Sequence, residues 1–296
     1  MRIAVSGASG LIGSALTPAL VTAGHEVVRL VRRESRGPGE IAWDPAAGTI
    51  DATSLVGVDA IVCLNGATIG RRWTASRKRE ILDSRVNSTG LLARTAAELD
   101  PRPSVFVCAG PVGIYGDRGD EILTEESELG AGFLADVGRA WESASEPARS
   151  AGLRVFNLRA GIVLSRRGGA LARLLTPFRL GLGGRVGSGR QWWSWIAIDD
   201  LVRAIRFALE GTLAGPVNVV SPNPVTNAQF ANALGQALGR PTVFPFPAIA
   251  AKAVFGEMAE EALLTGQRAL PARLLDAGFA FDYPDLGPAL ERALEK

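Results

Sequence analysis

Three glycines at a spacing of three, Gly7, Gly10 and Gly13, stand between a short apolar run over 2–6 and a helical stretch that reaches Ala23. That pattern suits the diphosphate of a dinucleotide. Gly7 permits a tight turn, Gly10 lets a ligand approach the backbone, and Gly13 lets helix and strand pack closely. Ser9, Leu11 and Ile12 complete the loop, whose free N–H groups at the helix start favour an anion. The next apolar run, Val27–Val31, ends in Arg32-Arg33. A carboxylate there would hold ribose hydroxyls. Two guanidiniums in its place suit the 2′-phosphate of NADP(H). Leu64-Asn65-Gly66-Ala67 ends a third run, with small residues where a sheet of this type passes the adenosine ribose and the diphosphate.

The elements that must position these residues follow from hydrophobic periodicity. Strand, glycine turn, helix and strand make a βαβ unit over 2–31, and such units build parallel sheets. Further strands are expected at 59–64, 105–109 and 153–158, with helices at roughly 74–99 and 133–151. Beyond 165 the texture changes to Gly- and Arg-rich sequence that ends in Trp192-Trp193-Ser194-Trp195. Asp199 is read as the N-cap of a helix over 201–210, and 216–220 as a strand returning to the sheet. The expected organisation is a nucleotide-binding core over 1–165, completed by that strand, and a small, mostly helical substrate-side lobe over 166–296.

Composition narrows the chemistry. The chain has 296 residues, with 32 Lys+Arg against 30 Asp+Glu, far from the excess of a nucleic-acid coat. One histidine, His25, leaves little for His-based metal sites or Ser-His-Asp triads. Cys63 and Cys108 each sit in an apolar strand and read as buried, reduced thiols, which suits a cytoplasmic protein. No uninterrupted apolar run reaches 18 residues, so no membrane span is expected.

Several motifs together carry a family resemblance. Gly7-x-x-Gly10-x-x-Gly13, Asn65-Gly66-Ala67 and Tyr115-Gly116 are similar to those of extended short-chain dehydrogenases/reductases, the group that holds nucleotide-sugar epimerases. Arg72-Trp73-Thr74, Ser84-Arg85, Gly113-Ile114-Tyr115-Gly116-Asp117, Trp141-Glu142, Arg159-x-Gly161-Ile162-Val163-Leu164, Pro177-Phe178-x-Leu180-Gly181-Leu182-Gly183-Gly184 and Gly187-Ser188-Gly189-x-Gln191 sharpen the match. Over the whole chain it resembles the atypical branch labelled epimerase family protein. The resemblance implies a Rossmann-type doubly wound α/β sheet. It also implies cofactor contacts from Glu80 and Arg85. Val163, past the sixth strand, is expected to meet the nicotinamide amide.

The usual catalytic set is missing. That group uses Tyr-x-x-x-Lys, but Tyr115 is followed four residues on by Gly119, and Tyr283 by Gly287. Aligned on Trp141-Glu142, the Tyr position holds Leu134 and the Lys position Gly138, and the usual Ser/Thr, five residues before Gly116, falls at Pro111. Two readings stay open. One is an NADP(H)-dependent oxidoreductase or epimerase-like enzyme acting on a small-molecule substrate, with Tyr115 as the candidate acid. The other is a non-catalytic NADP(H)-binding sensor or protein-interaction module. Gly110, Arg185, Gln191, Trp192 and Trp193 are the candidate substrate contacts: a guanidinium, an amide and aromatic faces suit a planar or anionic ligand.

Overall fold

The computed structural model describes residues 1–295. The strands are β1 (Arg2–Ser6), β2 (Glu26–Val31), β3 (Glu40–Asp44), β4 (Thr49–Ile50), β5 (Ala60–Cys63), β6 (Val105–Pro111), β7 (Ile122–Leu123), β8 (Arg154–Ala160), β9 (Ile162–Leu164), β10 (Trp192–Trp193), β11 (Trp195–Ala197), β12 (Gly215–Val219), β13 (Val225–Thr226) and β14 (Arg268–Ala269). The helices are α1 (Leu11–Thr22), α2 (Ala75–Glu98), α3 (Phe133–Ser143), α4 (Glu146–Ser150), α5 (Gly169–Arg179), α6 (Ile198–Glu210), α7 (Asn227–Leu238), α8 (Ala248–Phe255), α9 (Glu257–Ala262), α10 (Ala272–Asp276) and α11 (Leu286–Leu294).

The main sheet has eight strands in the order β12-β8-β6-β5-β1-β2-β3-β4. All its pairings are parallel except β3 with β4. Alternate residues of each central strand serve opposite faces. Ile3, Val5, Val62 and Val107 face α1 and α6, through Leu16, Leu20, Leu201 and Ile205. Ala4, Ile61, Phe106 and Val155 join Leu91, Leu92 and Trp141 on the other side. Both faces are covered, so these strands read as continuous apolar runs without alternation. The expected strands, the helix over α2 and the returning strand β12 are all present.

Three features differ from expectation. The sheet gains β3, whose Ile41 and Trp43 turn inward while Glu40, Ala42 and Asp44 alternate with them. The helix over 133–151 is two helices, α3 and α4, interrupted at Ala144–Ser145, with Pro147 in the first turn of the second. A proline fits that first turn, where its missing N–H costs no bond. Asp199 is not an N-cap: α6 starts at Ile198, three residues before the expected 201, with Ala197 at the cap. Asp199 instead pairs with Arg292 at 2.8 Å, and buried Asp200 accepts the N–H groups of Asp282 and Tyr283.

The C-terminal region packs α5, α7 and α11 around Trp193, Trp195 and Phe230. Separately, α9 seats Met258 against Trp73, Ile81 and Val137 of the core. Among the described residues, no helix is long and apolar enough to cross a membrane.

Candidate functional site

A cleft of about 870 Å³ opens at the C-terminal edge of the sheet. Its walls are the loop after β1, the ends of β2 and β3, the loop after β5, and the first half of α2. The glycine loop has the shape its sequence implied. Gly7 has φ +70°, and a Cβ there would lie 2.9 Å from the Asn65 nitrogen. A Cβ at Gly13 would lie 2.3 Å from the Gly7 carbonyl oxygen. At Gly10 a Cβ would meet only that oxygen, at 3.1 Å. α1 begins with no side-chain cap and no acidic residue in its first turn. Its first N–H groups are therefore left for an anion from outside the chain.

The two arginines after β2 part company. Arg33 donates both terminal nitrogens to the carboxylate of Glu40 at 2.8 Å, and Arg29 adds a third bond at 3.0 Å. The Arg33 guanidinium, helped by the N–H of Arg36, holds the Glu40 carboxyl down to about 2. Arg32, in the bend just after β2, lines the cleft and makes no ion pair among the described residues. Its charge is free. The expectation of two available guanidiniums is corrected to one, because β3 supplies a carboxylate that the sequence reading did not place. The walls from β3, Trp43 to Ala46, were missed for the same reason. The alternation Ile41/Trp43 after Gly37-Pro38-Gly39 was the signal.

The loop after β5 is fixed from beneath. Ser6 donates to the side-chain carbonyl of Asn65 at 2.6 Å, and the Asn65 amide donates to the Ser84 carbonyl at 3.2 Å. Asn65 thus spends its side chain on holding the loop. Gly66 and Ala67 present backbone to the cleft, and Ser84 accepts the Ala67 N–H at 2.9 Å. Leu64 packs between both layers of the core. Glu80 stands in the cleft wall, bonded to Arg77 at 2.5 Å. Arg85 lies over the Trp141 ring at 4.8 Å, close beside Gly66, and donates to the Ile81 carbonyl at 2.8 Å. Burial, and then the charge of Arg77, lower its pKa to about 10. Leu11 meets the Gly168–Gly169 turn, while Ile12 and Val163 pack at the edge of the core.

Tyr115 does not stand at the cleft. It is fully buried in a single 3₁₀ turn, Val112–Tyr115, among Ile114, Leu123, Val220 and Ala269. Its hydroxyl donates to the Asn218 side-chain carbonyl and accepts from Arg159, both at 2.8 Å. Arg159 in turn grips Glu142 with two bonds, at 2.7 and 2.9 Å. Burial pushes the Tyr115 pKa up, against the pull of Arg159. A phenol whose donor and acceptor sites are both taken inside the core has no proton to offer a ligand. The role of acid expected of Tyr115 is corrected to that of a buried tie. Gly138 has no room for the missing lysine, since its Cβ would lie 2.9 Å from that of Ile114.

The residues expected to meet substrate are dispersed and committed. Gly110 is buried, its Cβ position 3.2 Å from the Leu158 carbonyl oxygen. Arg185 folds back onto the carbonyls of Gly187 and Ser188. Gln191 donates to those of Val186 and Leu263. β10 turns Trp193 inward onto Phe230, with ring centroids 5.0 Å apart. Trp192 bonds Asp120 at 2.7 Å and carries Arg268 over its ring. Packing of the C-terminal region, more than one ligand face, accounts for these positions.

This architecture defines a class: residues 3–220 match the NAD dependent epimerase/dehydratase family, and the chain belongs to it. Residues 246–293 match a domain of unknown function, DUF1731. The chain is 46% identical over 290 residues to an epimerase family protein of Mycobacterium bovis, covering 97% of this chain and 96% of that one. Its fold is similar to that of human epimerase family protein SDR39U1, solved with NADPH, at TM-score 0.90 and 38% identity over 99% of this chain and 98% of that one. It is also similar to a nucleoside-diphosphate sugar epimerase of Corynebacterium glutamicum, at TM-score 0.83 and 42% identity over 99% of this chain and 58% of that one.

Proposed function

We propose that the chain binds NADP(H) in this cleft and acts as an oxidoreductase or epimerase-like enzyme on a small-molecule substrate. The observation that carries the reading is Arg32, a free guanidinium in the wall of a cleft whose other end is the uncapped start of α1. Arg32 meets the 2′-phosphate. The first N–H groups of α1 meet the diphosphate. Gly66 and Ala67 let the adenosine ribose lie against backbone, and Trp43 and Pro45 supply apolar wall beside it. NADPH bound in human SDR39U1 supports the same cofactor here. When bound, the cofactor supplies or accepts a hydride. With Tyr115 sealed and Leu134, Gly138 and Pro111 at the usual catalytic positions, the accompanying proton comes from water or from the substrate. Two free, buried thiols, Cys63 and Cys108, support a reducing, cytoplasmic setting.

The test is a titration of the purified chain with NADPH and NADH, beside Arg32→Ala. Loss of one charge-assisted contact to phosphate should weaken NADPH about tenfold and leave NADH within about twofold. Equal effects on the two cofactors would defeat the assignment of Arg32.

The missing catalytic set favours a second reading, a nucleotide-binding sensor without turnover. Tight NADPH binding with no oxidation of NADPH across a panel of carbonyl compounds would support it.

A further inference from the structure

We infer that Arg173, on α5, is a clasp that closes over the diphosphate of the bound dinucleotide; this rests on the NADP(H) reading above. Three segments surround the start of α1. The glycine loop touches the loop after β5, where Gly7 abuts Asn65. It also touches the approach to α5, where Cβ atoms at Gly168 and Gly169 would lie 3.3 and 3.1 Å from the Leu11 side chain. Arg173 joins the remaining two segments to each other. Its guanidinium donates to the Gly70 carbonyl and, at 3.5 Å, to the Thr68 hydroxyl. The contacts therefore form a closed circuit, from Gly7 to Asn65, along the loop to Gly70, across Arg173 to α5, and back through Gly169 and Leu11. The circuit passes through Leu11, the first residue of α1, where the diphosphate would be held.

The charges near it suit the same ligand. Arg77 donates to the Thr68 carbonyl from the α2 side, and its Nε is buried without a partner. Arg85 lies beside Gly66 with no carboxylate bonded to it among the described residues. The acids nearby on α2 are Glu80, more than half exposed and bonded to Arg77, and the exposed Asp83, which lines the same cleft wall. Three guanidiniums against two solvated carboxylates leave one positive charge in surplus, which the anionic groups of a diphosphate would offset. Arg173 is also the member of the trio that belongs to the C-terminal region, and its side chain is exposed. It can swing away without disturbing the core. Nucleotide entry and release then require the Arg173 bonds to open.

The experiment is stopped-flow release of NADPH from the full chain, compared with equilibrium binding of adenosine 2′,5′-bisphosphate. That fragment reaches Arg32 but has no diphosphate bridge. Arg173→Ala should speed NADPH release about tenfold and leave the fragment's affinity and the melting temperature of the free protein unchanged. Arg173→Lys, which keeps the charge and one donor for Gly70, should fall between. Unaltered NADPH release in Arg173→Ala overturns the clasp alone. A parallel loss of fragment binding also overturns it, because the effect would then not be confined to the diphosphate. Failure of the unsubstituted chain to bind either compound overturns the nucleotide reading and the clasp with it.

Discussion

Single side chains decide most of what this cleft can do, and two of them could not have been assigned from residue type. Arg32 and Arg33 are adjacent and alike in sequence. They differ because Glu40, at the start of β3, takes both terminal nitrogens of Arg33 and leaves Arg32 without a carboxylate. Tyr115 was conspicuous as one of two tyrosines, yet its hydroxyl is consumed by Arg159 and Asn218. Tyr115→Phe should leave Arg159 one bond short and Asn218 without its donor. The expected cost is about 1–3 kcal/mol in denaturant unfolding, with turnover of any substrate found changing little. A fall in turnover of about a hundredfold or more, with stability intact, would return Tyr115 to catalysis. Glu125 supplies the pH dependence. Its Oε1 accepts the Asn218 N–H at 2.8 Å, while Oε2 is buried without a partner. Burial raises its pKa above 4.5. The folded chain thus holds this proton more tightly than the unfolded chain. This contribution to stability is full below 4.5 and is lost as pH rises across the window from 4.5 through the raised value. Glu125→Gln should flatten that slope in unfolding midpoints measured across it.

Among the elements, the sequence was most legible where packing repeats and least where contact is singular. The central strands and α1 followed from runs of apolar residues and from three glycines. β3 did not, because its five residues include two acids and it follows a Gly-Pro-Gly turn, so it reads as loop until its partner β2 is known. The break between α3 and α4 fell at Ser145, whose hydroxyl returns to the Glu142 carbonyl at 2.6 Å. That is a local bond competing with the helix. The close approach of α3 to the 112–115 turn explains why Gly138 is glycine. Restoring the family's pair by Leu134→Tyr with Gly138→Lys should therefore not create a catalytic site. It should cost about 1–3 kcal/mol by overpacking against Ile114, measured by thermal unfolding, with no gain in NADPH oxidation. A gain in turnover without loss of stability would show that α3 can move aside.

At the scale of the whole molecule, the C-terminal region is joined to the core by bonds as well as by apolar contact. Glu261 accepts the N–H groups of Phe133 and Leu134 at the start of α3, Lys78 pairs with Glu257 at 2.6 Å, and Arg72 donates to the Ala253 carbonyl at 2.7 Å. None of these was legible, since each joins residues more than a hundred positions apart. A chain ended after Val220 would uncover Trp73 and Trp193 and leave the α3 start uncapped. It should show no cooperative transition in calorimetry, and a sharp one would mean that the core folds alone. The place of β12 has a consequence for biosynthesis. The strand that closes the sheet beside β8 is made some 55 residues after β8 itself. While the ribosome is still adding α5 and α6, β8 stands as an apolar edge with its backbone groups unpaired, open to the wrong neighbour. The nascent chain is thus most vulnerable to misassociation late, when most of its nucleotide cleft has already been synthesised.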